Sequence, residues 1–324
     1  MVSGAVISAR VARGRRRKFM DNRPVGIICH GGAGTITDKQ AYAAGLAEAI
    51  AEGYRLLRQG ARAVEAVIRA VVILEDNPVF NAGTGSSLTI DGIVEMDAAV
   101  MTQSGRFGGV CCIRGVKNPI LVAEKVMTET DHLILCGEGA IQFARRMGFE
   151  EYQVITDSAR ARLEKVKSQG SPYFPRLNQN LGILEEKMGT VGAVAIDRNG
   201  HLAAATSSGG IAGRLMGRIG DSGLPGAGTY ASASGAVSCT GHGEEIIKLF
   251  LAREIVERMK TLPASTALTL TLAEAKRKKV RCGAVGFDAR GGICYGHTTP
   301  DMAYGYKVAD RLFLFTDGKG KGAL

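Results

Sequence analysis

The sequence contains no tryptophan, and none of its hydrophobic runs reaches the roughly 18 residues that span a membrane. It also contains no CxxC pair, so the ligand spacing typical of zinc sites is missing. Its cysteines are odd in number and lie mostly within apolar runs, which argues against a disulfide framework. These absences predict no membrane partner and buried reduced thiols in a reducing, cytoplasmic compartment. The seven cysteines are Cys29, Cys111, Cys112, Cys136, Cys239, Cys282 and Cys294.

The formal net charge of +10 is concentrated at one end of the chain. Residues 1–18 contain six arginine or lysine residues and no acid, which is more than half of the excess. We interpret residues 1–23 as a disordered basic extension; a transit-like presequence or a mis-called start are the alternatives. A non-catalytic protein that binds nucleic acid through this tail is a competing hypothesis, and it predicts salt-sensitive binding. Because the charge is local, no nucleic-acid partner is expected.

The chain as a whole has the composition of an ordinary globular domain, with 45% hydrophobic and 22% charged residues among 324. Two helices, over 39–58 and 61–74, follow a strand over 24–29. Strands over 108–113, 132–136, 191–196 and 201–208 come later, and so do helices over 244–259 and 267–278. The strand 132–136 is almost wholly apolar, so we expect it to be buried on both faces. This mixture of hairpins and helical stretches predicts an α+β fold, a four-layer αββα sandwich over residues 24–324.

One stretch organises the rest: a strand over 191–196 that begins directly after Thr190. Residues 157–187 before it are polar, with little apolar periodicity, and we interpret 157–189 as a variable linker. A structureless loop of that length inside a domain is unusual, and cleavage of the chain there explains it. Cleavage between Gly189 and Thr190 leaves a free α-amine beside the Thr190 hydroxyl. With a reference pKa near ~8, that amine can act as the base for the hydroxyl.

Three further segments contain candidate catalytic or binding residues. The glycine-rich segment 30–34 lacks GxGxxG spacing, so we interpret it as a turn that approaches a reacting carbonyl rather than a dinucleotide site. Glu95 and Asp97 lie on one face of a strand, either as exposed carboxylates or as part of a site. Arg218 and Asp221 lie on one loop, and such a pair can bind the two charged ends of a free amino acid.

The segments 189–194 (GTVGAV), 203–210 (AAATSSGG) and 217–222 (GRIGDS) resemble the plant-type asparaginase / isoaspartyl aminopeptidase family. This family belongs to the N-terminal-nucleophile hydrolases. The resemblance covers about residues 24–324, and five separated motifs match in the same order. They are 30–34, 81–85 with 94–98, 189–194, 217–221 and 239–244.

The resemblance implies an amidohydrolase that cleaves itself between Gly189 and Thr190, giving an α subunit to Gly189 and a β subunit over 190–324. Thr190 then attacks the side-chain amide of L-asparagine or a β-aspartyl dipeptide. The resemblance assigns oxyanion stabilisation to Thr240 and Gly241, and binding of the substrate's two charged ends to Arg218 and Asp221. The remaining implied site residues are Asn81 and the Gly31–Gly32 turn, which support the nucleophile, and Gly243, whose carbonyl faces the substrate amine.

The resemblance also implies no catalytic cofactor, a structural sodium ion and a dimer of αβ heterodimers. The sodium would be held by main-chain carbonyls in the loop after the second helix, at Leu74, Glu75, Asn77, Phe80, Ala82 and Thr84.

Two departures from the family pattern bear on the chemistry. Ser208 stands where the family usually has threonine, and losing the methyl group weakens control of the hydroxyl rotamer. The loop 211–216 also differs, which leaves the leaving-group preference open. A glycosylasparaginase-like amidase is the competing enzyme hypothesis; such relatives are usually secretory, and we find no convincing signal peptide.

Overall fold

Two stacked β-sheets form the centre of the protein in the computed structural model, which describes residues 25–169, 176 and 189–316. The larger sheet has the strand order β12-β11-β1-β5-β6-β2-β3-β4, and the smaller has the order β10-β9-β8-β7. All neighbouring strands are antiparallel except β3 and β4. The strands are β1 Gly26–Gly34, β2 Met96–Thr102, β3 Phe107–Ile113, β4 Ile134–Cys136, β5 Val191–Ile196, β6 Leu202–Ser208, β7 Thr229–Ser232, β8 Gly235–Gly241, β9 Cys282–Asp288, β10 Ile293–His297, β11 Asp301–Val308 and β12 Arg311–Phe315.

Helices cover the outer face of each sheet. Helices α1 to α3 pack on the larger sheet, and α7 and α8 pack on the smaller one. Separate apolar clusters fill the space between the sheets and the space beneath each helical layer. This confirms the predicted α+β arrangement of two sheets with helices outside. The helices are α1 Lys39–Arg58, α2 Ala63–Asp76, α3 Pro119–Glu129, α4 Gly137–Arg146, α5 Asp157–Gln169, α6 Gly243–Leu249, α7 Leu251–Arg258 and α8 Ala264–Arg277.

The first helix has the predicted bounds because its ends are marked locally. The Asp38 carboxylate accepts a hydrogen bond from the Ala41 amide at 2.9 Å, which caps the first turn. Leu46, Ile50 and Leu57 recur on one face and are fully buried against the larger sheet. Within the described residues, no helix is both long and apolar enough to cross a bilayer.

Three local predictions are wrong, each for an identifiable reason. Residues 30–34 continue β1 instead of forming a turn, because their backbone pairs with β11 through a bulge between His30 and Gly32. The strand near 132–136 is short and partly exposed, since it forms an edge of the larger sheet. Residues 157–169 form a helix, not a structureless loop, because Ala159, Leu163 and Val166 make a short buried stripe. The basic extension 1–23 and the linker beyond the helix lie outside the described residues, Arg176 and Gly189 excepted.

The cysteines are all free thiols, as predicted. Six are buried, and burial raises the pKa of Cys112 to about 12 and that of Cys282 to about 11. Cys136 is exposed at the end of the edge strand β4, so the prediction of burial is wrong for this residue.

Candidate functional site

Thr190 lies immediately before β5 and is almost fully buried, with 3% of its surface exposed. Its neighbour across the sheet is the last residue of β6, because β5 pairs antiparallel with that strand. The Thr190 and Ser208 hydroxyl oxygens are 3.1 Å apart, within hydrogen-bond distance. The Gly210 amide also donates to the Ser208 oxygen, at 3.0 Å. The structure therefore brings the predicted nucleophile and the predicted Ser208 together in a water-poor environment.

Two side chains donate hydrogen bonds to the carbonyl of Gly189. The Asn81 side-chain amide donates to it at 2.7 Å, and the Ser208 hydroxyl donates at 3.3 Å. The Asn81 amide cannot rotate freely, because it also donates to the Gly210 carbonyl at 2.6 Å and accepts from the Ser87 amide at 2.7 Å. A rigid donor at the carbonyl oxygen is what stabilises an oxyanion formed there.

Glycine is required on both sides of this carbonyl. Gly32 has a φ of 114°, and a Cβ on it would lie 3.1 Å from the Gly189 Cα and 3.2 Å from the Thr190 nitrogen. A Cβ on Gly189 would lie 2.9 Å from the Asn81 Cβ. Because larger residues would push these groups apart, the sequence places glycine where the backbone passes closest to the candidate nucleophile.

A buried chain of hydrogen bonds fixes the main chain of Thr190. His30 Nδ1 lies 3.0 Å from the Thr190 carbonyl, which can only accept, so Nδ1 carries the proton. His30 Nε2 therefore accepts from the Ser238 hydroxyl at 2.8 Å, and the Thr206 hydroxyl lies 2.7 Å from Ser238 Oγ. Burial lowers the pKa of His30 to about 3, although the Thr190 hydrogen bond opposes the shift, so the imidazole is neutral. Sequence reasoning included His30 in a motif but gave it no role.

Thr240 and Gly241, the predicted oxyanion donors, end β8 on the smaller sheet. The Thr240 hydroxyl accepts from the Ala33 amide at 3.1 Å, so its own proton remains to be donated. Ala33 directly follows Gly32, which touches the backbone of Thr190. Thr190 and Thr240 thus contact the same short segment of β1, from opposite sides of the space between the sheets.

Arg218 and Asp221 are the pair predicted to bind the two charged ends of the substrate, the second half of the predicted site. Arg218 donates through Nε and Nη2 to the two carboxylate oxygens of Glu244, at 2.8 and 2.7 Å. Asp221 is 4% exposed, and its Oδ2 has no hydrogen-bond partner among the described residues. Gly243 lies against both, since a Cβ there would be 2.6 Å from Arg218 Nη2 and 3.0 Å from Asp221 Oδ1. Glu244 was part of a matched motif, but its pairing with Arg218 was not predicted.

The electrostatics of this half depend on burial. Burial raises the pKa of Asp221 to about 7, and the charge of Arg218 opposes this rise only in part. Burial also raises the pKa of Glu244, but the hydrogen bonds from His242 and Arg218 and the charge of Arg218 outweigh it, so the net shift is downward. Glu244 is therefore a permanent carboxylate, whereas Asp221 titrates near neutrality until a cation joins it.

Glu95 and Asp97 are buried acceptors rather than exposed carboxylates. The Asp97 carboxylate accepts from the Gly220 amide at 2.7 Å and from the Cys112 amide at 2.8 Å. The Glu95 carboxylate accepts from the Gly217 amide at 2.8 Å. These bonds hold the loop on both sides of Arg218. Between the two readings of the sequence, the structure supports a role in positioning the site.

Arg214 stabilises the neighbouring loop from inside. It is 2% exposed and donates to the carbonyls of Ser87, Ile211 and Glu95. Burial lowers its pKa to about 10, which still leaves the guanidinium charged at neutral pH. Arg214 therefore ties the loop 211–216, which departs from the family pattern, to the segment that follows Asn81.

The loop predicted to hold sodium passes close to two glycines. A Cβ on Gly83 would overlap the Glu75 carbonyl oxygen, and a Cβ on Gly85 would overlap the Phe80 carbonyl oxygen. Two other predicted carbonyls already accept hydrogen bonds inside the loop: Asn77 from the Phe80 amide at 3.2 Å, and Ala82 from the Gly85 amide at 3.2 Å. Main-chain carbonyl oxygens are ligands that a hard cation accepts. The sodium site at Leu74, Glu75, Asn77, Phe80, Ala82 and Thr84 stays a prediction that rests on the resemblance.

Comparisons with known proteins identify the family of the chain. A family model described as asparaginase matches residues 22–315. The chain is 43% identical over 294 residues to a plant-type L-asparaginase of Pyrococcus abyssi, covering 87% of this chain and 96% of that protein. It is 42% identical over 265 residues to the Homo sapiens isoaspartyl peptidase/L-asparaginase, covering 79% of this chain and 84% of that protein. A Xenopus laevis protein of the same name is 43% identical over 246 residues, covering 74% and 76%. The chain therefore belongs to the asparaginase family that contains the plant-type asparaginases and the isoaspartyl peptidases.

Proposed function

We propose that this protein is a threonine-nucleophile amidohydrolase that cleaves the side-chain amide of L-asparagine and of β-aspartyl dipeptides after cleaving itself between Gly189 and Thr190. The observation that carries the proposal is that the buried Thr190 hydroxyl and the Gly189 carbonyl share Ser208 as a hydrogen-bond partner, while Asn81 also donates to that carbonyl. The names of the relatives support the substrate class. They favour it over the glycosylasparaginase-like and nucleic-acid-binding alternatives.

Self-cleavage begins when the Thr190 hydroxyl oxygen attacks the Gly189 carbonyl carbon. The negative charge that develops on the Gly189 oxygen is stabilised by the Asn81 amide, 2.7 Å away. The C–N bond then breaks, the hydroxyl proton passes to the leaving nitrogen, and the peptide becomes an ester. Water opens the ester to give the Gly189 carboxylate and a Thr190 with a free α-amine.

Substrate hydrolysis then uses the same hydroxyl. The neutral α-amine accepts its proton while the oxygen attacks the side-chain carbonyl of the substrate. Thr240 and Gly241 donate to the oxyanion, and one such donor is typically worth ~3 kcal/mol. Ammonia or an amino acid leaves with a proton, and water hydrolyses the remaining acyl ester. The product is aspartate in either case.

Arg218 and Asp221 orient the substrate in this proposal. Glu244 occupies the Nε edge of the Arg218 guanidinium, so the opposite edge is available for the substrate α-carboxylate. The unpaired Asp221 oxygen is placed to accept the α-ammonium. A sodium ion bound by main-chain carbonyls of the loop 74–84 would keep this segment ordered next to Asn81.

The assembly and location are part of the proposal. We expect a dimer of αβ heterodimers, by analogy with the family. A reducing cytoplasmic location is supported by seven cysteines that are all free. Small-molecule substrates are sufficient to explain the site, and neither a nucleic-acid nor a membrane partner is needed.

The test is a time course of purified full-length protein on denaturing gels and by intact mass, with activity measured on L-asparagine and a β-aspartyl dipeptide. We expect fragments 1–189 and 190–324, with activity that rises with the cleaved fraction. Thr190→Ala should remain one inactive chain. A cleaved or active Thr190→Ala protein would overturn the proposal, and so would full activity with an intact 189–190 bond.

A further inference from the structure

Helix α5, Asp157–Gln169, has no role in the chemistry described so far. Most of its side chains are polar and exposed, but Ala159, Leu163 and Val166 are buried, with 1%, 4% and 0% of their surface exposed. Their spacing of four and three residues puts them on one face of the helix. The helix is therefore docked on the domain through one narrow apolar stripe.

The stripe covers two loops that lie side by side. Ala159 and Leu163 pack with Leu88, and Val166 packs with Ala212. Gly213 lies so close to Val166 that a Cβ on this glycine would overlap the valine side chain. Packing at this density leaves little room for either loop to shift.

These two loops are also bonded to each other. The Gly213 amide donates to the Leu88 carbonyl at 2.9 Å, and the Ile90 amide donates to the Arg214 carbonyl at 2.8 Å. Leu88 follows Asn81 by seven residues, and Gly213 follows Ser208 by five. Asn81 and Ser208 are the two side chains that donate to the Gly189 carbonyl. The helix thus packs on both loops whose neighbouring side chains donate to the carbonyl of the scissile bond.

Arg162 adds a polar contact on the same face. Its guanidinium donates to the Gly85 carbonyl at 2.8 Å. It also lines a cavity of about 40 Å³ together with Gly32 and Asn81, the residues that contact Gly189. The helix therefore reaches the immediate surroundings of the scissile peptide.

We propose that α5 is a maturation clamp: it holds the loops of Asn81 and Ser208 in the geometry that self-cleavage requires. The inference rests on the proposed function, because it concerns the same Gly189–Thr190 bond. Attack on a carbonyl tolerates little misplacement, and about 1 Å can cost 10²-fold in rate. Turnover depends on the clamp much less, since the Gly189 carbonyl has left the site and the substrate oxyanion is bound by Thr240 and Gly241 on β8 of the other sheet.

The clamp is tested by comparing Val166→Asp with Ala161→Asp in the full chain. Both introduce an aspartate into α5, but Val166 is buried and Ala161 is exposed. A buried carboxylate without a partner is strongly unfavourable, so Val166→Asp should detach the helix. Cleavage is followed by intact mass, and turnover is then measured per mole of the 190–324 fragment. We expect self-cleavage of Val166→Asp to be slower than that of the wild type by roughly tenfold or more. Ala161→Asp should cleave itself at the wild-type rate.

Turnover separates a clamp from a general structural effect. Processed Val166→Asp should retain turnover within about twofold of the wild type, with unchanged KM, if α5 acts on maturation. Equal losses in the rates of self-cleavage and turnover would overturn the clamp. A wild-type rate of self-cleavage in Val166→Asp would also overturn it, if limited proteolysis shows that α5 has become accessible. Should Val166→Asp fail to fold, Val166→Ala and Arg162→Met decide the question by the same two readouts. An uncleaved wild-type chain that is fully active would instead refute the proposed function.

Discussion

Arg218 and Glu244 form a two-point ion pair in which Nε and Nη2 of the arginine face the two carboxylate oxygens at 2.8 and 2.7 Å. The pair is largely shielded from water, with 12% of the arginine side chain and 34% of the glutamate side chain exposed. Glu244 therefore sets the direction in which the guanidinium points. The carboxylates of Glu95 and Asp97 accept from backbone amides of the loop that carries the arginine, so both ends of Arg218 are fixed.

Glu244→Gln should raise KM for L-asparagine with little effect on kcat. The neutral amide cannot pair with both guanidinium nitrogens, so Arg218 loses its fixed orientation before substrate arrives. We expect a rise in KM of roughly tenfold, the cost of about one oriented hydrogen bond to a charged group. Steady-state kinetics of the processed enzyme provide the measurement, with Glu245→Gln, whose carboxylate pairs with Lys248 and not with Arg218, as the matched control. An unchanged KM would show that Glu244 does not orient Arg218. A lower KM would show that Glu244 competes with the substrate.

The activity should depend on the ionisation of Asp221. Burial raises the pKa of this carboxyl to about 7, and only its ionised form attracts the substrate ammonium. At a pH below this value the protonated form dominates, so kcat/KM should increase as pH rises through about 7. The neutral α-amine of Thr190 adds a second rise near ~8. Asp221→Asn should lose the first rise and keep the second; two rises in the variant would assign the lower one to another group.

Replacing Asn81 should slow self-cleavage strongly. Asn81→Ala removes the 2.7 Å donor to the Gly189 oxygen, and loss of one oxyanion donor typically costs about 10²–10³ in rate. Fragment formation on denaturing gels measures the effect, with Asn199→Ala in an exposed turn as the control. Wild-type cleavage of Asn81→Ala would show that this amide supports only the structure of the loop.

Ser238→Ala should destabilise the protein without changing the pH profile. The substitution leaves His30 Nε2 buried without a donor, which typically costs about 1–3 kcal/mol of unfolding free energy. Burial keeps the pKa of His30 low, near 3, so no new titration enters the working range. Chemical denaturation measures the loss, and Ser234→Ala in the turn between β7 and β8 serves as the control. Equal stability of the two variants would mean that another group or a water molecule satisfies the imidazole.

Local patterns were enough to predict several elements. The helix over 39–58 has the predicted bounds, because its capping residue and apolar stripe are adjacent in sequence. The two strands predicted after Thr190 are confirmed as β5 and β6. Helix α5 was missed because a stripe of three buried apolar residues among thirteen gives a weak periodic signal. Strand β4 was misjudged because apolar composition does not reveal that a strand lies at a sheet edge.

The sequence by itself determined which residues carry reactive groups: a threonine after a glycine at the start of a strand, and an arginine and an aspartate three residues apart. Only the tertiary structure decided their partners. Asn81 reaches the Gly189 carbonyl from 108 residues away, and His30 reaches Thr190 from 160 away. These contacts follow from strand order and register, which bring distant segments to one point between two sheets. A polar group's partner, and with it the pKa and the direction of each hydrogen bond, depends on that packing and not on its neighbours in sequence.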